Sequence, residues 1–128
     1  VNHRETFTGI PDRDRARTLS ALGQWANRAV RENDRDCAEA FVREFSSPGH
    51  VPLLYAAAGL SKERRGHTEL SMALARMGGL SESTTVCEML GDDDGPLPRS
   101  RAGPYADRHD GVFIEGREIA DAWSRWSV

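Results

Sequence analysis

Apolar residues recur at helical spacing in three stretches of the chain. Leu19, Leu22, Ala26 and Ala29 trace one face of a helix running to about Glu32. Pro11 suits its first position, Asp12 complements the dipole from the first turn, and Asn33-Asp34 breaks it. Leu70, Ala73, Leu74 and Met77 fall at i, i+3, i+4 and i+7, and Gly78-Gly79 supplies the stop. Ile119, Ala122, Trp123 and Trp126 repeat that spacing, so the chain closes with a helix whose tryptophans read as core or dimer contacts. A shorter helix is expected between Asp36 and Phe45, through Ala40, Phe41 and Phe45.

The remaining apolar residues follow extended patterns. Residues 5–10 read as a short strand with a bend at Gly9. Val51 to Ala58 is an apolar run in which Pro52 marks a strand start or an edge strand. Thr84 to Leu90 alternates, with Val86, Glu88 and Leu90 on one face and Thr85, Cys87 and Met89 on the other. Val112-Phe113-Ile114 reads as a short buried strand, Arg99 to Pro104 as loop, and Tyr105 to His109 as a helical turn. Helices and strands intermix without a regular βαβ rhythm. The class expected is α+β, a mixed sheet with surrounding helices, in one domain over residues 1–128.

Composition narrows the function classes. At 128 residues, with 38% hydrophobic and 29% charged residues, the chain is sized for one soluble domain. It has 17 basic against 20 acidic residues, which argues against a general nucleic-acid binder. A mean hydropathy of −0.58 and the lack of a long apolar run exclude a membrane-spanning helix. Cys37 and Cys87 form no metal-ligand spacing and, without a secretory signal, read as reduced thiols of a cytoplasmic protein. The start at Val1 reads as that of a fragment.

Candidate chemistry gathers at Arg64-Arg65-Gly66-His67-Thr68-Glu69. Here two guanidinium groups, a glycine, an imidazole and a hydroxyl precede a helix, with Thr68 as the expected N-cap. A helix N-terminus offers unpaired N–H groups and partial positive charge, so it suits a phosphate or carboxylate. Read locally, the stretch is either such an anion site or a capped surface helix behind a basic loop. His50, delivered by the turn Ser46-Ser47-Pro48-Gly49, is either a functional imidazole or a turn residue. Glu88 is either a buried carboxylate with a raised pKa, suited to proton transfer, or a strand-end residue in solvent. Asp92-Asp93-Asp94 lacks EF-hand spacing and reads as a solvated turn. No HExxH or equivalent ligand pair points to an unrelated metal hydrolase.

Several of these stretches, in this order, resemble the motifs of one enzyme family. Thr8-Gly9-Ile10 with Asp14-Arg15-Ala16 and Thr18, then Pro48-Gly49-His50-Val51, Arg64 to Glu69, and Val86-Cys87-Glu88 are similar to segments of 3,4-dihydroxy-2-butanone 4-phosphate synthase. The archaeal-type members are the nearest in pattern, with Ser47 before the Pro-Gly-His turn. Pro11 stands where the family usually has serine.

The resemblance implies a fold like that of the family, with its N-terminal part missing. It also implies conversion of D-ribulose 5-phosphate to 3,4-dihydroxy-2-butanone 4-phosphate and formate, with Mg²⁺ or Mn²⁺ as cofactor. It assigns His67 to the metal, and Arg64, Arg65, Gly66, His67, Thr68 and Glu88 to the substrate. His50 and Glu88 become the proton-transfer residues. A homodimer with sites at the subunit interface is implied as well, with no nucleic-acid or membrane partner. The family's acidic, metal-binding loop has no counterpart among these residues. The competing expectation is therefore a catalytically incomplete fragment, or a sugar-phosphate-binding or dimerisation module.

Overall fold

The computed structural model describes residues 1–31 and 36–127, the side chain of Arg31 excepted. In chain order the elements are strand β1 (Asn2–His3), helix α1 (Asp12–Arg31), helix α2 (Cys37–Glu44) and strand β2 (Phe45–Ser46). A 3₁₀ turn over Leu60–Lys62 follows, then helices α3 (His67–Met77), α4 (Arg99–Arg108) and α5 (Gly116–Trp126). The class is α+β. The only sheet among the described residues is a two-stranded antiparallel one, pairing Asn2 with Ser46 and His3 with Phe45.

The N-terminal half is tied by polar bonds and an aromatic row. Thr18, fully buried on α1, returns its hydroxyl to Asp14 O at 3.0 Å and accepts the His3 N–H at 3.0 Å. That fixes β1 against the helix. Trp25, Phe41 and Phe45 pack in a row, the first pair tilted and the second stacked, at centroid distances of 4.9 and 4.8 Å, joining α1, α2 and β2. The Trp25 indole donates to Cys37 O at 2.7 Å, which satisfies the polar tip of a largely apolar residue.

A second apolar cluster forms where α3 packs on α5. Leu60, Ala73, Ile119 and Trp123 are buried together, with Ala56, Leu70, Met72 and Met77 against them. Gly116 opens α5 within reach of α3: a Cβ there would stand 3.0 Å from Leu70 Cδ1. The helical periodicity over Leu70–Met77 and Ile119–Trp126 thus identified both partners, although Leu74 and Trp126 are more than a third exposed. Trp126 stacks on Trp123 from outside, at 5.1 Å.

The strand expectations fail in four places. Residues 5–10 form turns rather than a strand, because the Asp14 carboxylate gathers the N–H groups of Phe7, Thr8 and Gly9 at 2.9–3.1 Å. Gly9 takes a positive φ of 78° to complete that wrap. Val51–Ala58, Thr84–Leu90 and Val112–Ile114 are not strands. The one ladder contact in these segments is an isolated bridge, Leu90 to Pro96. Their apolar patterns are real, but a strand also needs a partner for its backbone N–H and C=O groups. None is present among the described residues, and most of the large apolar side chains stay in solvent: Tyr55 is 93% and Val112 82% exposed. The expected mixed sheet is therefore absent among the described residues.

The helix expectations hold better. Residues 99–104, expected as loop, belong to α4, which begins after Pro98 and contains Pro104. Pro104 sits in an exposed helix, where the carbonyl that loses its donor can turn to water. The expected break at Asn33-Asp34, and the end of the first helix at Glu32, fall outside the described residues. Cys37 and Cys87 are both free thiols.

Candidate functional site

The 64–69 stretch folds as a clamp at the start of α3. The 3₁₀ turn ends with Arg64 N–H donating to Leu60 O at 2.9 Å, and Leu60 takes a positive φ of 46° to make that turn. The chain then crosses Gly66 into the helix. The N-cap is Gly66, not Thr68 as expected: Gly66 O accepts the Leu70 N–H at 3.0 Å. Thr68 lies inside the first turn, and its carbonyl accepts the Ser71 hydroxyl at 2.9 Å. The shift follows from Glu69, which stands three residues beyond Gly66 and accepts its N–H at 3.2 Å, as a capping residue does.

Glu69 organises the whole loop. It is 1% exposed, yet its oxygens are filled: Oε1 accepts Ala57 N–H at 3.1 Å, and Oε2 accepts Arg64 Nη1 at 2.7 Å as well as Gly66 N–H. Burial pushes the carboxyl pKa up. The N–H groups of Ala57 and of Glu69 itself, with the Arg64 guanidinium, outweigh it and hold the group ionised, below its ordinary value of 4.5. The pair lies directly over Gly66, where a Cβ would meet Arg64 Nη1 at 2.5 Å and Glu69 Oε2 at 2.6 Å. A side chain at this position would have to displace the ion pair.

The outer face of this clamp is basic. Arg64 gives Nη1 to Glu69 while its side chain remains 64% exposed. Arg65 and His67 are exposed, and Thr68 is half-buried. The His67 and Thr68 N–H groups, in the first turn of α3, have no acceptor within the helix. Two exposed arginines, first-turn N–H groups without a helical acceptor and a half-buried threonine thus lie within one loop. That donor set suits a phosphate monoester.

His50 occupies a different anchor. Its exposed turn is held by Asn2, whose Oδ1 accepts the His50 backbone N–H at 2.8 Å, with Asn2 Nδ2 3.2 Å from His50 Nδ1. Gly49 allows the approach, since a Cβ there would lie 2.1 Å from Val1 C and 2.4 Å from Asn2 N. Glu88 is exposed on the unpaired 84–90 segment, so the reading of a buried carboxylate on an apolar face is corrected. Without a sheet there is no apolar face to bury it. A 3.0 Å bond between Ser71 Oγ and Thr84 Oγ1 ties the base of that segment to α3.

The structure therefore brings Arg64, Gly66, His67 and Thr68 into one loop with Arg65. Among the described residues no hydrogen bond or ion pair joins that loop to His50 or Glu88. Three residues that organise these anchors were given no role of their own from sequence, although Glu69 and Asp14 stood within the stretches picked out. Glu69 was legible, through its capping-box spacing from Gly66. Asp14 carried a weaker signal, as a first-turn acid beside Thr8-Gly9. Asn2, 48 positions from His50, carried none.

Comparison with known proteins places these motifs in context. A family model described as 3,4-dihydroxy-2-butanone 4-phosphate synthase matches residues 1–122. A protein of that name from Methanosarcina mazei is 48% identical over 128 residues, 99% of this chain and 50% of its own length. Its namesake from Archaeoglobus fulgidus is 44% identical over 127 residues, 98% of this chain and 52% of its own. A Candida albicans namesake is 38% identical over 94 residues, 73% of this chain and 40% of its own. The chain spans about half the length of these archaeal relatives.

Proposed function

The chain belongs to the 3,4-dihydroxy-2-butanone 4-phosphate synthase family; from that premise we propose that it serves the lyase reaction converting D-ribulose 5-phosphate to 3,4-dihydroxy-2-butanone 4-phosphate and formate, a step of riboflavin biosynthesis. Its part is to bind the sugar phosphate. The observation that carries this reading is the Arg64–Glu69 clamp at the N-terminus of α3, which leaves a basic, donor-rich face open to a phosphate. Held there, the ketose is fixed at one end while its carbonyl end reacts, and that positioning lowers the barrier by removing orientational freedom.

Proton transfers fall to His50 and Glu88. Enediol formation takes a proton from the carbon beside the carbonyl and needs a hydrogen-bond donor at the carbonyl oxygen. A carboxylate suits the first task and an imidazole N–H the second. Glu88 and His50 are both solvent-accessible, as groups that must reach a substrate are.

The implied Mg²⁺ or Mn²⁺ does not fit the residues present. His67 is exposed, and among the described residues no three His, Cys, Asp or Glu side chains come together as cation ligands. A hard divalent ion prefers several oxygen ligands, and one imidazole is not a site for it. A metal held by His67 requires carboxylates from another polypeptide segment. This observation favours a second reading, a sugar-phosphate-binding or dimerisation module without lyase turnover.

A homodimer is the partner state proposed. It is supported by segments 51–58, 84–90 and 112–114, which lie outside any strand ladder and carry exposed large apolar side chains such as Leu54, Tyr55, Leu90 and Val112. No helix among the described residues is long and apolar enough to cross a membrane. The two free thiols support a cytoplasmic setting.

Formate release from ribulose 5-phosphate, with and without Mg²⁺, separates the two readings. Turnover that His67→Ala abolishes supports the lyase. Binding of ribulose 5-phosphate without turnover supports the module. Absence of both overturns the carry-over of function to this chain.

A further inference from the structure

The imidazole of His50 is not free to choose its tautomer. Asn2 Oδ1 accepts the His50 backbone N–H at 2.8 Å. A backbone N–H can only donate, so this bond settles which end of the Asn2 carboxamide is oxygen. The other end, Nδ2, is then a donor, and it lies 3.2 Å from His50 Nδ1. A donor facing Nδ1 requires that nitrogen to accept, which leaves the ring proton of neutral His50 on Nε2. Nδ2 also reaches Thr8 O at 3.4 Å, which uses its second hydrogen.

The surroundings of Asn2 are built to admit its carboxamide. A Cβ on Gly9 would lie 2.1 Å from Asn2 Nδ2 and 2.3 Å from its Cγ. A Cβ on Gly49 would strike the backbone of Val1 and Asn2. Gly9, at a positive φ of 78°, therefore leaves the space that this side chain fills, and Gly49 leaves room for the backbone that carries it.

We propose that Asn2 is the positioning residue for His50: it locks the ring by Nδ1 and presents Nε2–H outward, as a hydrogen-bond donor to the substrate's carbonyl and enediol oxygens. This rests on the reading of His50 as a residue that serves the sugar phosphate. It sharpens that reading by dividing the two roles. In its neutral form His50 has no free lone pair on the outward nitrogen, so it does not take the proton from carbon. That task is left to a carboxylate, for which Glu88 is the candidate in this chain. No atom is transferred through Asn2 itself. Its contribution is to hold the donor in place and aim it.

The test reads the ring directly, by long-range ¹H–¹⁵N correlation of His50 in the full chain at a pH where the imidazole is neutral. In the parent chain the proton is expected on Nε2, with Nδ1 bare. Asn2→Asp replaces the donor by a second acceptor, so the ring should invert to Nδ1–H. A parent spectrum with the proton on Nδ1 overturns the proposal, and needs no variant to do so. An Asn2→Asp chain that keeps its fold by circular dichroism and its proton on Nε2 overturns it too. Titration with ribulose 5-phosphate separates the two layers. A shift of the His50 ring signals supports its role toward the sugar. An unmoved ring, in a chain whose tautomer behaves as stated, removes that role and with it the proposal, leaving a local lock of purely structural meaning.

Discussion

Gly9→Ala should reveal how much of the N-terminal anchor depends on the space around Asn2. Gly9 has φ of 78°, and alanine in that left-handed region costs roughly 1–2 kcal/mol. Replacing glycine returns about 0.4–1 kcal/mol by restricting the unfolded chain. Backbone terms alone thus leave a net loss of about 1 kcal/mol. The added Cβ would also stand 2.1 Å from Asn2 Nδ2, so the carboxamide must leave its place and give up its bonds to His50 and Thr8. These are partly solvent-exposed bonds, worth together a further 1–2 kcal/mol or so.

Gly79 supplies the internal control. It too has a positive φ, 64°, but a Cβ there meets nothing within 4 Å. Gly79→Ala should therefore show the backbone cost alone, and Gly9→Ala should exceed it by about 1–2 kcal/mol in urea unfolding with unchanged m. In an Asn2→Ala background the excess should vanish, because the clash partner is gone. Equal costs for the two glycines, or an excess that survives Asn2→Ala, would refute the reasoning.

Three further outcomes follow from the same contacts. Trp123→Ala, which removes a buried ring from between α3 and α5, should lower unfolding stability by about 3–5 kcal/mol, and a loss under about 1 would show that the helices do not depend on this cluster. Asp14 accepts backbone N–H groups of Gly9, Thr8 and Phe7, and the Gly9 bond above all lowers its pKa from 3.8. Its stabilisation is therefore complete above about that value and is lost as pH falls toward the lower folded value, a slope that acid titration should find missing in Asp14→Asn. Glu69→Gln should loosen Arg64 without unfolding α3, and ribulose 5-phosphate binding by calorimetry should weaken by about tenfold, the worth of one charge-assisted bond; unchanged affinity would show that Arg64 needs no clamp.

Local chemistry was legible in the sequence where its cause is local. The face carrying Leu19, Leu22, Ala26 and Ala29 lies in α1, and the stripes of α3 and α5 meet each other, because helical hydrogen bonds close within a few residues. Thr68 as N-cap was off by two residues, since Glu69 reaching back to Gly66 decides the start. Strands were misread for the opposite reason. Thr84 to Leu90 and Val112 to Ile114 show strand-like patterns, yet a pattern does not supply the second strand. Glu88 was open to two readings, buried on the apolar face of such a strand or in solvent at its end, and with no partner strand it is exposed.

The candidate site divides in the same way. Arg64 to Thr68 could be picked out from spacing, since the loop and the helix end it caps are contiguous. The Asn2 contact to His50 spans 48 positions and depends on two glycines distant from one another, so no local pattern could reveal it. Pro48-Gly49-His50 was recognised through its likeness to a family turn, and the structure adds what holds that turn. Gly49 is needed because Val1 and Asn2 pass against it.

The most direct measurement of the central claim is calorimetric titration of the chain with D-ribulose 5-phosphate, without divalent metal, beside an Arg64→Ala/Arg65→Ala chain of equal helicity. A phosphate held by the start of α3 predicts saturable binding that the double variant loses and that weakens steeply with salt. No binding, or binding that the variant retains, would contradict it.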